Sequence, residues 1–262
     1  MAFKAARKDR FLATIGAAWG RLGRVPPRPG EIWTPSLSRL VFVGLVVMLI
    51  AAGFDSAAIH FVGNSAGTVL DTMRAITDIG RSHWYLVPAA ILFFSLSFID
   101  WTRAGFRGRA RLLLIFGQAA FVFAAVALSG IAANILKFVF GRARPMSIDE
   151  LGAWHLDPFS LGYAFASFPS GHSTTVGAVT AIFILWYPRY WLLIAEIGVV
   201  LAATRIAAQA HYPSDVAAGL LLGSTVTIVL ARFLASRRVV FRLMPGRMLP
   251  QVVGRPGGLF AR

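Results

Sequence analysis

The amino-acid sequence predicts an all-α, polytopic membrane protein: a six-transmembrane-helix bundle with its ionisable residues gathered at the outer membrane boundary. Three observations predict this. Hydrophobic residues fill 57% of the 262 positions and charged residues only 14%, against roughly a quarter charged in an ordinary soluble domain. The apolar residues come in long runs, not short alternations, which marks spans and not a folded core. The basic residues lie mostly between and beyond those runs.

The chain opens with a basic leader over 1–36, broken by Pro26, Pro27 and Pro29 and read as a flexible end. That leader and the apolar run after it are both too long for a cleaved signal peptide, so a retained anchor is expected. A helix needs about 20 apolar residues to cross the hydrocarbon core. Runs near that length fall at 39–61, 83–100, 112–136, 172–187, 190–209 and 214–235. Only Pro188-Arg189 separates the fourth from the fifth, which reads as a tight helical hairpin. Residues 64–82 carry Val69, Met73 and Ile76 at helical spacing, with Asp71, Arg74 and Asp78 able to pair at i+3 and i+4. They form either an interfacial amphipathic helix or a loop helix packed on the spans. A basic tail over 237–262, rich in Gly and Pro from Pro245 on, closes the chain as a second flexible end. The domain is therefore expected at 37–236.

Orientation follows from the placement of lysine and arginine. With both termini cytoplasmic, 20 of the 26 fall on the inner face. The outer face keeps Arg74, Arg81, Lys137, Arg142, Arg144 and Arg205. Trp84 and Trp101 bracket the second span, and Trp186 and Trp191 bracket the hairpin turn, as interfacial anchors should. The expected location is the inner (plasma) membrane, multi-pass. A net charge of +15 would suit nucleic acid, but its distribution follows the spans, so the expected partner is the bilayer and no nucleic acid. The chain has no cysteine, which excludes disulfides and thiol ligands.

Ionisable groups at membrane helix ends are costly and point to function. Three clusters fall on the predicted outer face: Lys137 with Arg144-Pro145 after the third span, Pro169-Ser170-Gly171-His172 before the fourth, and Thr204-Arg205, His211 and Asp215 joining the fifth to the sixth. Lys137, Arg144 and Arg205 set three cations against one carboxylate, a balance that suits a multiply charged oxyanion such as phosphate. Ser170 adds a hydroxyl, Gly171 a closely approaching backbone N–H, and the fourth helix its positive end. A neutral histidine held by a partner is a competent nucleophile at phosphorus. Asp215, four residues after His211, can orient it, and His172 can protonate the leaving alkoxide and then activate water. His172, His211 and Asp215 are also possible metal ligands, but three neighbouring cations repel a divalent ion, so no metal and no cofactor is expected. Arg142 is open between phosphate contact and a headgroup-facing or solvated charge. Glu196, inside an apolar run, is expected to pair across helices, and Asp55 lies in a second such run.

The pattern K-x6-RP, then PSGH, then R-x5-H-x3-D resembles the type 2 phosphatidic acid phosphatase superfamily of lipid phosphate phosphatases, related to vanadium haloperoxidases. Thr204 stands where that family usually has serine. The resemblance implies a phosphohistidine on His211, with Asp215 as its orienter and His172 as general acid. It also implies phosphate held by Lys137, Arg144, Ser170, Gly171 and Arg205. The expected activity is metal-independent hydrolysis of a lipid phosphomonoester or diphosphate, of the phosphatidate, phosphatidylglycerophosphate, undecaprenyl diphosphate or lipid A type. The alternatives are a membrane phosphatase of soluble phosphoesters and a non-enzymatic lipid-phosphate binding or transport protein.

Overall fold

The computed structural model describes residues 32–99 and 105–253. Most of the predicted leader, and the tail beyond 253, lie outside the described residues. The helices are α1 Pro35–Ala52, α2 Asp55–Gly63, α3 Thr68–Ile76, α4 His83–Ser97, α5 Phe106–Phe140, α6 Ile148–Leu151, α7 Gly171–Trp186, α8 Trp191–Ala207 and α9 Pro213–Ser236. Two short strands, β1 Phe241–Arg242 and β2 Gln251–Val252, pair antiparallel.

Among the described residues, four helical stretches are long and apolar enough to cross a membrane: Pro35–Ala52, Ala110–Phe140, Pro188–Ala207 and Pro213–Ser236. The other two predicted spans are α4 and α7, of 15 and 16 residues. At 1.5 Å per residue each is roughly 23–24 Å long, short of a hydrocarbon core of about 30 Å. Leu192, Leu193, Ile197, Val199 and Val200 of α8 are exposed, as a lipid-facing surface requires.

The first predicted span departs from a single helix. It breaks at Gly53-Phe54, where the amides of both residues return to carbonyls three positions back, and the chain restarts at Asp55. Asp55 is fully buried, and its carboxylate accepts from Arg142 and from the amide and hydroxyl of Ser214.

The chain divides into two compact units. Among the described residues, the first comprises 32–34, 85–99, 105–124 and 228–253. In it Phe93 stacks on Phe116, and Phe121 meets Phe241 edge-on. Arg232 donates to the carbonyls of Ile32, Arg247 and Met248. The tail expected as a flexible end is therefore folded through 253: β1 and β2 close a hairpin, and Phe241 is completely buried.

The second unit comprises 35–84 and 125–227. α8 packs along α7, and α3 packs on α8. α3 thus takes the second of its two predicted forms, with Arg74 donating to the Ala207 carbonyl and pairing with Asp71. α7 meets α9 backbone to backbone, because a Cβ on Gly177 would overlap the Leu220 carbonyl oxygen and one on Gly223 that of Thr174. Small residues permit such approach between apolar helices. It sets the N-terminal ends of α7 and α9 side by side, and Ser170 N donates to the Asp215 carbonyl at 3.0 Å.

Candidate active site

All the residues singled out by the three sequence clusters lie in the second unit. Lys137 lies in the last turn of α5, and Gly141 turns the chain at φ +54 with its Cβ direction running into the Asp157 carbonyl. From there the chain runs extended. Arg142 bridges to Leu156, Ala143 N donates to the His155 carbonyl and Arg144 N to the Ala164 carbonyl. The loop over 146–168 is thus zipped back onto 141–144. Its carbonyls receive the cations: Lys137 Nζ donates to Ala166 O at 2.6 Å, and Arg144 to the carbonyls of Tyr163 and Ala166, while a third Arg144 bond goes to the Ala210 carbonyl beside His211. The Arg144 guanidinium also lies 3.9 Å from the Tyr163 ring centroid.

Ser170 caps α7. Its hydroxyl oxygen accepts from Ser173 N and Ser173 Oγ, leaving its own proton to donate. A Cβ on Gly171 would stand 3.7 Å from Lys137 Cε, so the lysine reaches the open N-terminal end of α7. At the second position of that helix, His172 Nε2 bonds the Thr77 carbonyl at 2.6 Å. Arg205 Nη1 donates to Thr77 Oγ1 at 3.1 Å, and Thr204 Oγ1 lies at the same distance from it.

His211 is 3% exposed and Asp215 fully buried. Asp215 Oδ2 accepts from Ser167 Oγ at 2.6 Å and from Tyr212 N at 3.0 Å. His211 Nδ1 stands 3.6 Å from the same oxygen with no hydrogen-bond partner. Catalytic hydrogen bonds are often that long before substrate binds. Burial, and after it the charges of Lys137 and Arg144, hold the His211 pKa down to about 4 against the pull of Asp215. The imidazole is therefore neutral near pH 7, with its lone pair free for nucleophilic work. Among the described residues, no three His, Asp or Glu side chains group as metal ligands.

Sequence reasoning missed Arg142 and Asp55. Arg142 is neither solvated nor headgroup-facing: it is 3% exposed and bonds Asp55 and Asp215 at 2.7 Å each. An aspartate in an apolar run was the available signal for Asp55, but nothing local named its partner 87 residues away. Ser167 and Thr77 were equally silent. Glu196, expected to pair across helices, is exposed on α8.

A family model described as the PAP2 superfamily matches residues 118–238. A lipid A 1-phosphatase of Rhizobium johnstonii is 35% identical over 242 residues, covering 90% of this chain and 93% of that protein. The chain belongs to the PAP2 superfamily. A lipid A 1-phosphatase of Rhizobium etli is 38% identical over 196 residues, covering 70% of this chain and 82% of the relative. An undecaprenyl-diphosphatase of Sulfolobus acidocaldarius is 30% identical over 168 residues, 63% of this chain and 71% of its own length. The PAP2 match takes in the motif residues from Lys137 to Asp215. Asp55 lies outside it, on α2.

Proposed function

We propose that this membrane lipid phosphatase takes the 1-phosphate of a lipid A-type glycolipid as substrate and hydrolyses it through a phosphohistidine. The observation that carries the mechanism is a neutral, buried His211 backed by Asp215 and lying within the field of Lys137 and Arg144. The substrate rests on the two lipid A 1-phosphatases among the relatives, one of them matched over 93% of its length.

In this reading Lys137, Arg144, Arg205, the Gly171 amide and the Ser170 hydroxyl hold the phosphate oxygens. His211 Nε2 attacks phosphorus and the bond to the leaving oxygen breaks. His172 gives that oxygen its proton. Asp215 stabilises the imidazolium formed as His211 Nδ1–H closes on it. Water then attacks the phosphohistidine, His172 takes the proton, and inorganic phosphate departs.

Six spans with cytoplasmic termini put this constellation at the outer boundary of the inner membrane, where a lipid headgroup arrives by lateral diffusion. The leader and tail then sit in the cytoplasm. The short α4 and α7 span with help from flanking residues and local thinning of the bilayer.

The test is phosphate release by the purified protein in detergent from lipid A 1-phosphate, undecaprenyl diphosphate, phosphatidate and phosphatidylglycerophosphate, with His211→Ala as control. The highest kcat/KM is expected on lipid A 1-phosphate. A preference for undecaprenyl diphosphate would replace the substrate and keep the mechanism. Turnover by His211→Ala equal to wild type would end the mechanism.

A further inference from the structure

Arg142 has no hydrogen left for a phosphate. Of the five N–H bonds of a guanidinium, Nε and one on Nη2 go to the Ala153 carbonyl. Those on Nη1 go to Ser214 Oγ and Asp215 Oδ1, and the last on Nη2 goes to Asp55 Oδ2. The rings of Trp154 and Tyr212 lie against it, their centroids 4.8 and 4.3 Å from Cζ. Its purpose must be sought in what it holds, and it holds two carboxylates.

One of these is Asp215, whose other oxygen faces His211 Nδ1. A buried arginine bonded to that carboxylate at 2.7 Å works against the chemistry. When His211 gains a phosphoryl group its ring becomes cationic, and the negative charge that should meet it is cancelled from behind. In a low-dielectric interior such cancellation is barely screened. Asp55 resolves the conflict. It is fully buried, bonds the same guanidinium at 2.7 Å, and accepts from Ser214 N and Oγ on the first turn of α9. Two carboxylates around one guanidinium leave a net charge of −1 beside the imidazole.

We propose that Asp55 is a positioning residue for the reaction. As the second counter-ion of Arg142, it offsets the guanidinium so that Asp215 keeps its negative charge for His211, and it fixes the Arg142–Asp215 pair from α2. The proposal rests on His211 as the nucleophile.

The test uses the full chain in detergent with a lipid phosphate substrate. Asp55→Asn keeps the shape and an acceptor for Ser214 N, and removes the charge together with the acceptor that meets Arg142 Nη2 and Ser214 Oγ. The expected result is a kcat about tenfold lower or more with KM within about twofold, since the lost charge matters only once the imidazolium forms. Adding Arg142→Gln to Asp55→Asn is expected to recover at least about threefold of that kcat, because Asp215 is again uncancelled. A purely structural role predicts the opposite, a double variant weaker than Asp55→Asn. Unchanged kcat in Asp55→Asn, a loss carried mainly by KM, or a double variant no better than the single overturns the proposal. Where Asp55→Asn does not accumulate folded, the charge-matched double variant decides: kcat within about tenfold of wild type supports it, and a lower value overturns it. Full turnover by His211→Ala removes the nucleophile, and the proposal with it, and is read separately from either variant.

Discussion

The imidazole of His172 donates from Nε2 to the backbone carbonyl of Thr77 across 2.6 Å, while the hydroxyl of the same threonine accepts from Arg205. A carbonyl only accepts, so this bond fixes the ring with its held proton on Nε2 and leaves Nδ1 as the nitrogen that, in the proposed mechanism, carries a proton to the leaving oxygen and back from water. The 3₁₀ turn Thr77–Gly80 closes the contact, since a Cβ on Gly80 would lie 2.5 Å from His172 Cδ2.

The first prediction separates the two histidines. His211→Ala should abolish turnover of every substrate. His172→Ala should lose about 10²–10⁴-fold on a lipid alkoxide leaving group, the usual value of general acid assistance. With an aryl phosphate, whose phenolate leaves unaided, its burst of phosphoenzyme should recover. Gly80→Ala pushes on the His172 ring and should show the same leaving-group dependence in milder form. Burst kinetics on both substrates check this, and a leaving-group dependence in His211→Ala but not in His172→Ala would reverse the two roles.

The long apolar helices, and the motif residues as candidates, were legible in the sequence because each leaves a local mark, an apolar run or a fixed spacing. The network behind them was not. Asp55 and Arg142 lie 87 positions apart, and Ser167 is 48 from Asp215, so only the approach of the ends of α2, α7 and α9 makes them partners. Composition likewise marked the Gly/Pro-rich tail as loose, whereas the β1–β2 hairpin, the buried Phe241 and the bonds of Arg232 to the Arg247 and Met248 carbonyls order its first part.

The second prediction concerns pH. With its pKa lowered from 6.5 to about 4 by burial first, His211 stays deprotonated as pH falls through 6.5 and begins to charge only near 4. The burst rate at saturating aryl phosphate should therefore stay flat from pH 7 to about 5, whereas an ordinary imidazole nucleophile would halve near 6.5. The same depression has a stability consequence. The folded state binds fewer protons than the unfolded one between 6.5 and 4, so stability present above 6.5 is progressively lost as pH falls through that window. A burst rate that halves at pH 6.5 would show a solvated imidazole.

The third prediction concerns metal. Lys137, Arg144 and Arg205 supply the positive field in the proposed mechanism, so activity should survive EDTA unchanged. Loss on chelation, restored by magnesium or zinc, would contradict that source of charge.

The fourth concerns the turn after α5. Gly141 has φ +54, and a Cβ there would overlap the Asp157 carbonyl. Gly141→Ala should destabilise by about 2 kcal/mol or more, since both backbone strain and a clash with backbone must be relieved. The displaced element is the strand carrying Arg142 and Arg144, so activity should fall with stability. Thermal unfolding in detergent, read beside phosphate release, checks both.

The fifth prediction fixes sidedness. The chain has no cysteine of its own, so a single introduced thiol reports without background. Leu161 is 91% exposed in the loop between the first two motifs, and a Cβ at Gly105 meets nothing within 4 Å, so both positions accept the substitution. With cytoplasmic termini, Leu161→Cys should react with a membrane-impermeant maleimide applied from the periplasmic side, and Gly105→Cys only after the inner membrane is opened. The charge argument makes this strict, because the segment around Gly105 carries Arg103, Arg107, Arg109 and Arg111, and positive loops of this length stay cytoplasmic. The reverse labelling would turn the protein over. The phosphate site would then face the cytoplasm, and the enzyme would meet inner-leaflet lipids before their export.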